Sequence, residues 1–278
     1  MARTWFVTGA SRGLGVEIAK AALRAGDRVV ATGRRKDEVA RAVGGDSEQV
    51  LTLALDVTDE GQARSAVAAA RARFGAIDVL VNNAGYGHLG FFEEKSQDDV
   101  DAQFATNVFG LFKVTRSVLP CMRAARKGHI FNISSIAGVR GSEGGSLYCS
   151  SKFAVEGFSE SLAKELAPFG IFVTIVEPGF FRTEFLSDES ARFGGGAIAD
   201  YAEASARIQG FFKQRNGTQA GDPRKLAEAL VTLAGEAAPP LRFAVGSDAV
   251  EVTETKLAGA RAELEAWRGL SVGTDYRE

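Results

Sequence analysis

Short apolar runs of strand length alternate with longer amphipathic segments along most of the chain. Such alternation is typical of an α/β domain in which helices cover both faces of a parallel sheet. The predicted strands span residues 4–8, 28–32, 50–55, 79–82, 129–133, 171–177 and 242–245. The predicted helices cover residues 16–25, 36–43, 60–74, 98–125, 147–167 and 223–234. The pattern therefore predicts a doubly wound, seven-stranded parallel sheet.

One segment interrupts this alternation. Residues 185–221 are spotted with glycine and contain Phe193, Phe211 and Phe212. Irregular insertions of this length within a compact domain are more often functional than simple connections. We therefore predict a single domain over residues 1–278, with residues 185–221 forming a substrate lid.

The balance of charges excludes several classes of function. The 278 residues include 33 Lys and Arg against 35 Asp and Glu, which gives no electrostatic reason to bind nucleic acid or an anionic membrane. Apolar runs are only of strand length, and the first residues lead straight into a strand rather than a signal sequence. We expect a cytoplasmic protein with no nucleic-acid or membrane partner.

Cysteine and histidine are too sparse for a disulfide framework or a metal site. Cys121 and Cys149 lack the spacing of a metal site, and His88 and His129 are isolated from other metal ligands. We predict no metal site, and we expect both cysteines to be small buried apolar residues.

A glycine-rich turn separates the first predicted strand from the first predicted helix. Its glycines are Gly9, Gly13 and Gly15, in the spacing G-x-x-x-G-x-G. Glycines allow a tight turn and close approach of the backbone to a pyrophosphate, and the free N–H groups of a helix N-terminus attract the anion. The turn therefore predicts a dinucleotide-binding site.

Tyr148 and Lys152 lie four residues apart in a predicted helix, and Ser135 lies thirteen residues before the tyrosine. Positions i and i+4 share a helix face, so the phenol and the ammonium can project into one cleft. A nearby positive charge favours the phenolate, so we expect Lys152 to lower the pKa of Tyr148 toward neutrality. A hydroxyl donor, an acid and a cation together indicate carbonyl/alcohol redox chemistry.

Together with Asn82-Asn83-Ala84-Gly85, Asn107 and Pro178-Gly179, these motifs make the chain resemble the short-chain dehydrogenase/reductase family. Residues 80–139 and 239–246 are similar to members allied to 17β-hydroxysteroid and retinol dehydrogenases. The resemblance implies a Rossmann fold, a nicotinamide dinucleotide and a catalytic tetrad. The tetrad it implies is Asn107, Ser135, Tyr148 and Lys152.

The resemblance also implies which residues contact the cofactor. They are Gly9, Ser11, Arg12, Gly13, Leu14, Gly15, Arg34, Asp56, Val57, Asn83, Ala84, Gly85, Tyr148, Lys152, Pro178, Gly179 and Thr183. In this scheme Lys152 holds the nicotinamide ribose, and Asn107 holds a water that relays protons to Lys152. Asp56 matches the position that contacts the adenine, although a helix N-cap is an alternative role for it.

The end of the second predicted strand indicates which dinucleotide is preferred. An NAD site usually presents a carboxylate there, which repels the 2′-phosphate of NADP. This chain has Gly33 at that position, followed by Arg34 and Arg35, and Arg12 lies in the glycine turn. Guanidinium groups match phosphate oxygens in geometry and charge, so we predict NADP(H) over NAD(H).

Aromatic residues support two further predictions. Phe180, Phe181 and Phe185 follow Pro178-Gly179, and with the lid phenylalanines they indicate an apolar roof for a hydrophobic ketone, aldehyde or secondary alcohol. The predicted helices 98–125 and 147–167 carry more apolar residues than one buried face needs, so we expect a homodimer or homotetramer. These residues include Phe109, Phe112, Phe153 and Phe158.

Two alternatives belong to other functional classes. A redox-inactive relative that senses dinucleotide or binds a protein partner usually lacks the tyrosine or the lysine, and this chain has both. An epimerase or dehydratase of nucleotide sugars usually is longer and has a G-x-x-G-x-x-G turn. Residues 143–146 lack the proline that many relatives have before the tyrosine, and Glu177 precedes Pro178, so specificity on the substrate side stays open.

Overall fold

The computed structural model describes residues 2–187, 190–193, 196 and 198–276. Nine strands occur within these residues: β1 (Thr4–Val7), β2 (Arg28–Gly33), β3 (Val50–Ala54), β4 (Val79–Asn82), β5 (Gly87–Leu89), β6 (Gly128–Ile133), β7 (Ile171–Pro178), β8 (Ala191–Phe193) and β9 (Arg242–Val245). The α-helices of the described chain are α1 (Gly13–Arg24), α2 (Lys36–Val43), α3 (Glu60–Phe74), α4 (Gln97–Phe104), α5 (Leu111–Ala125), α6 (Ser146–Leu166), α7 (Ala202–Arg215), α8 (Pro223–Leu233) and α9 (Ser247–Val272).

Seven strands form one parallel sheet in the order β3-β2-β1-β4-β6-β7-β9. The strand order reverses between β1 and β4, which is the point where ligands bind in sheets of this type. The predicted Rossmann architecture and its seven strands are therefore confirmed. Predicted strand ends differ from the observed ends by at most one residue.

Alternate residues of the central strands face opposite hydrophobic layers. Trp5 and Val7 pack with α1 and α8 on one face, whereas Phe6 packs with α3, α5 and α6 on the other. All three side chains are fully buried. Burial on both faces explains why the strands read as continuous apolar runs rather than as alternating ones.

The segment predicted as one helix over residues 98–125 is continuously helical, but it divides into α4, a π-helical segment and α5. A π-helical segment, Ala105–Gly110, joins α4 to α5, and Ser96 caps the start of α4 through a capping box with Asp99. A π-helical turn inserts extra backbone and changes the direction of the side chains around it, and it occurs often at functional sites. Asn107 lies within this segment.

The predicted lid contains regular structure. Strand β8 pairs in parallel with β5 in a separate two-stranded sheet, and α7 follows it. Positions 188, 189, 194, 195 and 197 of the predicted lid, and positions 1, 277 and 278 of the predicted domain, lie outside the described residues. The helix α9 was not among the sequence-based predictions.

Candidate functional site

The carboxyl ends of β1, β4, β6 and β7 meet at one edge of the sheet. These four strands are neighbours and run in the same direction, with Val7 beside Val81 and Asn82 beside Asn132. The segments that follow them contain the glycine turn, Asn83, Ser135 and Gly179. The edge therefore brings together motifs that are far apart in the sequence.

The glycine turn is shaped so that its backbone stays accessible. Gly9 and Gly13 have positive φ angles of 67° and 58°. A Cβ atom on Gly9 would lie 2.9 Å from the Ala84 Cα, and a Cβ atom on Gly15 would overlap the Gly9 carbonyl oxygen. The helix α1 starts after Arg12 without a side-chain cap, so its first amide groups suit an anion. These features fit the pyrophosphate of a dinucleotide.

Thr8 joins the ends of β1 and β4. Its hydroxyl accepts hydrogen bonds from the amides of Asn83 and Ala84, both at 3.0 Å. The Asn83 side chain donates back to the carbonyl oxygens of Thr8 at 2.9 Å and Gly9 at 3.1 Å. Thr8 was not predicted as a site residue. A polar residue between an apolar strand and a glycine turn was the available signal.

Asn107 ties the β4 loop to α6. Its Oδ1 accepts from the Tyr86 amide at 3.1 Å, and its Nδ2 donates to the Tyr86 carbonyl oxygen at 3.0 Å and to Ser151 Oγ at 3.1 Å. A Cβ atom on Gly85 would lie 3.1 Å from Asn107 Oδ1, so glycine lets the loop approach the amide closely. This geometry assigns Asn107 an anchoring role, and its water relay stays a prediction.

Ser135, Tyr148 and Lys152 lie together beyond β6. Ser135 lies close enough to Tyr148 to influence the pKa of the phenol, and Ser135 Oγ accepts from the Ala137 amide at 3.1 Å. Lys152 Nζ donates to the Ile133 carbonyl oxygen at 2.8 Å and lies 5.8 Å from the centre of the Tyr148 ring. Tyr148 and Lys152 are both buried. The three predicted residues therefore share one enclosed space.

We expected Lys152 to lower the pKa of Tyr148 toward neutrality. That prediction was wrong, because the pKa of Tyr148 is raised. Burial raises the pKa of Tyr148, and the neighbouring Ser135 hydroxyl opposes that shift only partly. Lys152 lies over the ring and donates to the Ile133 carbonyl oxygen, and it is not among the groups that shift the pKa of Tyr148. Burial also lowers the pKa of Lys152 to about 8, while Glu156 raises it.

Charged residues lie behind Lys152. The Arg242 guanidinium forms ion pairs with Glu156, Glu160 and Glu177, the last at 2.7 Å. Burial raises the pKa of Glu156 to about 7, the neighbouring Ser134 opposes the shift, and the charge of Glu177 adds to it. Sequence reasoning did not single out Glu156 or Arg242, because helix and edge-strand charges are usually solvated.

The predicted 2′-phosphate residues lie on two adjacent loops. The Ala10 amide donates to the Thr32 carbonyl oxygen at 2.8 Å, which joins the loop after β1 to the end of β2. Arg34 is exposed at the end of β2, whereas Arg35 is paired with Glu38. A Cβ atom on Gly33 would lie 2.8 Å from Val39, so this position has little room for a side chain.

Asp56 and Val57 follow β3 at the same edge. Asp56 Oδ1 accepts from the Thr58 amide at 2.9 Å and from its hydroxyl at 2.8 Å, which forms a local turn. The alternative role of Asp56 as a helix N-cap was wrong, because Asp59 caps α3 by accepting from the Gln62 amide. Val57 is buried against Gly110.

Residues after β7 complete the edge. The Gly179 amide donates to the Val245 carbonyl oxygen at 2.9 Å, and Asp248 accepts from the Phe180 amide at 2.7 Å. Asp248 packs so closely on Gly179 that no Cβ atom fits there. Thr183 faces the glycine turn, with its Cβ 3.6 Å from a Cβ position on Gly13. Thr183 thus closes the site opposite α1.

Aromatic side chains of the lid meet Tyr148. The Phe185 and Tyr148 rings are 5.7 Å apart between centres, and Phe193 and Phe212 pack in the same cluster. A cavity of about 320 Å³ lies between α7 and the segment after β5. Its lining is largely apolar, and Tyr148 and Ser135 are not part of it. The lining residues are Gly90, Glu94, Phe193, Gly196, Ile198, Ala199, Ala202, Ser205, Ala206 and Gln209.

Within the described ranges, no helix combines the length and apolarity needed to cross a membrane. The same residues contain no group of three or more His, Cys, Asp or Glu side chains placed to hold a metal ion.

The sequence model of the short chain dehydrogenase family matches residues 3–192. The chain belongs to the short-chain dehydrogenase family. It is 40% identical over 279 residues to the oxidoreductase BOA17 of Botryotinia fuckeliana, covering 99% of this chain and 100% of that protein. It is 39% identical to a 3-ketodihydrosphingosine reductase of Bacteroides thetaiotaomicron, covering 86% of each. It is 35% identical to bovine (Bos taurus) retinol dehydrogenase 8, covering 86% of this chain and 80% of that protein.

Solved structures agree with this assignment. A short-chain dehydrogenase from Streptomyces avermitilis has a TM-score of 0.91 and 41% identity, covering 99% of this chain and 100% of that chain. A serine dehydrogenase in complex with NADP+ has a TM-score of 0.74 and 29% identity, covering 86% and 93%. A 3-ketoacyl-(acyl-carrier-protein) reductase from Brucella melitensis in complex with NADH has a TM-score of 0.74 and 27% identity, covering 87% and 95%.

Proposed function

We propose that this short-chain dehydrogenase is a cytoplasmic NADP(H)-dependent oxidoreductase that interconverts a hydrophobic ketone or aldehyde with its alcohol. The observation that carries the proposal is the buried Tyr148 phenol with Ser135 as its neighbour, with Phe185 packed beside the ring and Lys152 one helical turn away. A proton donor enclosed with a second hydroxyl and apolar walls suits a carbonyl oxygen that gains negative charge.

The bound nicotinamide dinucleotide supplies or accepts the hydride. The chain supplies the proton: Tyr148 donates it to the carbonyl oxygen, and Ser135 donates a hydrogen bond to the same oxygen. The raised pKa of Tyr148 keeps the phenol protonated at neutral pH, which favours its role as the acid in carbonyl reduction. In the direction of alcohol oxidation, Tyr148 takes the hydroxyl proton instead. Lys152 is placed to offset the charge of the phenolate.

The backbone of the glycine turn fits the pyrophosphate, and the residues around β2 support NADP(H) over NAD(H). A carboxylate at the end of β2 would repel a 2′-phosphate, whereas this chain has Gly33 there and an exposed Arg34 next to it. Arg12 lies at the start of α1 on the adjacent loop. Relatives in this family bind NADP+ or NADH, so the preference rests on the residues of this chain.

The preference for an apolar substrate rests on the lid. Phe185 packs directly on Tyr148, and Phe193 separates that cluster from the cavity next to α7. Two relatives are a 3-ketodihydrosphingosine reductase and a retinol dehydrogenase, whose substrates have long apolar parts. Aromatic walls bury such groups and keep water from the hydride path.

Assembly through the α5 and α6 faces is part of this proposal. Phe109 is 51% exposed and Phe153 is 45% exposed, and between them the rings of Phe112 and Phe158 are 4.2 Å apart. An exposed aromatic patch on two adjacent helices is typical of an interface between subunits.

The test is Tyr148→Phe, with reductase activity followed through NADPH absorbance over a panel of carbonyl compounds. We expect turnover to fall by about a thousandfold or more, because the proton donor is lost, and the dissociation constant for NADPH to change by less than about threefold. Tyr276→Phe is the matched control, because Tyr276 is fully exposed. Undiminished turnover in Tyr148→Phe would show that the phenol is not the acid. Binding of NADPH without turnover by the unaltered protein would favour the redox-inactive alternative.

A further inference from the structure

The C-terminal helix α9 extends away from the rest of the protein. Its first turn is fixed to the body, since Ala249 is buried and Asp248 accepts from the Phe180 amide. Every described residue from Glu254 to Tyr276 is exposed. An isolated helix of this length is only marginally stable in water, and stable helices usually bury one apolar face. The projecting part of α9 therefore lacks the tertiary contact that such a helix normally has.

The projecting helix has a continuous apolar stripe. Val250, Leu257 and Leu264 follow each other at intervals of seven residues, and Ala260 and Trp267, each three residues beyond one of the leucines, lie on the same face. Leu257, Leu264 and Trp267 are 65%, 55% and 64% exposed. A repeat of seven residues is the pattern by which two helices pack along a shared seam.

The charges beside the stripe select the arrangement of the two helices. In a parallel pair, Lys256 would face Arg261 of the second copy, and these two like charges would repel at both places, although Glu263 would face Arg268 at the same spacing and attract it. In an antiparallel pair with the two-fold axis at Arg261, Glu254 faces Arg268 of the second copy on both sides of the axis. Arg261 then lies opposite its own symmetry mate, which is the single like-charge contact of this arrangement.

From this pattern we infer that α9 pairs with α9 of a second copy of the chain, antiparallel across a two-fold axis. The inference is independent of the proposed function and concerns a surface separate from the α5 and α6 faces. Residues 254–272 contain three basic and three acidic side chains, so the helix lacks the positive polar face that an anionic membrane surface would attract. The Streptomyces avermitilis structure matches 99% of this chain, so α9 lies within the shared fold.

The test is sedimentation velocity of the full chain at micromolar concentrations. We expect the double variant Leu257→Gln/Leu264→Gln to lower the assembled mass by half and to raise the dissociation constant of the α9 contact by about tenfold or more. The matched control is Ala258→Gln/Ala262→Gln, which changes the opposite side of the same helix and should keep the mass of the unaltered protein. Helix content and NADPH-dependent turnover of both double variants report whether the body stays folded.

Oxidative cross-linking checks the orientation. Arg261→Cys lies next to its own mate in the antiparallel pair, so we expect a covalent dimer on oxidation, whereas Ser271→Cys lies near its mate only in a parallel pair. Cross-linking of Ser271→Cys without Arg261→Cys would overturn the antiparallel arrangement. Equal masses for the unaltered protein and Leu257→Gln/Leu264→Gln would overturn the pairing itself, whether or not the α5 and α6 faces associate.

Discussion

The cofactor side and the lid side of the site are built from different kinds of contact. On the cofactor side, backbone atoms of Gly9, Ala84 and Gly15 approach so closely that a single Cβ atom does not fit. On the lid side, Phe185 and Phe193 contact their neighbours through rings whose centres are 5.7 and 6.2 Å apart. Backbone clearance dictates one residue type at a position, whereas ring packing accepts several apolar side chains.

This difference separates the positions of the site that tolerate substitution from those that do not. In the proposed function, the cofactor side holds a nicotinamide dinucleotide, so its backbone geometry would be fixed by one ligand. In the same proposal, the lid side meets the substrate through apolar area, which depends on size and shape rather than on directed hydrogen bonds. Substrate range can therefore change on the lid side without disturbing the chemistry at Tyr148.

The largest expected effect comes from replacing a glycine on the cofactor side by alanine, and a glycine on the lid side provides the comparison. Gly15→Ala should abolish measurable NADPH binding and lower the free energy of unfolding by about 1–3 kcal/mol, because the added methyl overlaps the Gly9 carbonyl. Gly210→Ala in α7 has open space and should raise stability by about 0.5–1 kcal/mol. Thermal unfolding and NADPH titration of both variants measure the contrast. Similar behaviour of the two variants would break it.

The cofactor side was largely predictable because its signals are local. The strands, the glycine turn and the spacing of Tyr148 and Lys152 can each be recognised within a short window of sequence. Thr8 was missed because a threonine before a glycine turn is common and its partners Asn83 and Ala84 are 75 and 76 residues away. The pKa of Tyr148 was predicted in the wrong direction because burial depends on the whole fold.

The lid side and the C-terminal helix were less predictable. Strands β5 and β8 have three residues each, too few to show a periodicity, and they pair across about a hundred residues of sequence. The π-helical segment around Asn107 has no sequence signature that separates it from an α-helix. By contrast, α9 could have been predicted from the spacing of Val250, Leu257 and Leu264, together with its many good helix formers.

The second prediction asks whether cofactor choice resides wholly on the cofactor side. Arg34→Ala should raise the dissociation constant for NADPH about tenfold to a hundredfold, because a charge-assisted hydrogen bond to phosphate contributes about 1.5–3 kcal/mol. The constant for NADH should change by less than about twofold. Arg41→Ala is the control, since Arg41 is an exposed arginine on the adjacent α2 that pairs with Asp37. Equal losses for both cofactors would mean that Arg34 meets no 2′-phosphate.

The third prediction applies to the lid side. Phe185→Ala should lower kcat/KM for a bulky aryl ketone about tenfold, because the ring next to Tyr148 is lost, and should have a smaller effect on a small polar ketone. Phe172→Ala is the control, because that ring is 41% exposed and lies at the start of β7, at the end of the strand away from the site. The unaltered enzyme should prefer the aryl ketone. A clear preference for the small polar ketone would contradict the apolar roof.

The smallest expected effect lies where the two sides meet, at the charges behind Lys152. Above pH 7 an ionised Glu156 raises the pKa of Lys152, which is about 8 in the protein. Glu156→Gln removes that charge, so the pKa of Lys152 should fall further and its proton should leave at a lower pH. The alkaline decline of kcat/KM should therefore move to lower pH by about one unit or less.

The control for this shift is Glu160→Gln. Glu160 pairs with the same Arg242 but is 48% exposed and lies one helical turn farther from Lys152. Arg242 keeps an ion pair with Glu177 in both variants, so loss of the guanidinium contact as such cannot account for a difference between them. A displaced decline in Glu156→Gln alone assigns the effect to charge next to Lys152. If both variants keep the pH profile of the unaltered protein, Lys152 does not control the alkaline limit, and the buried charges act only in folding.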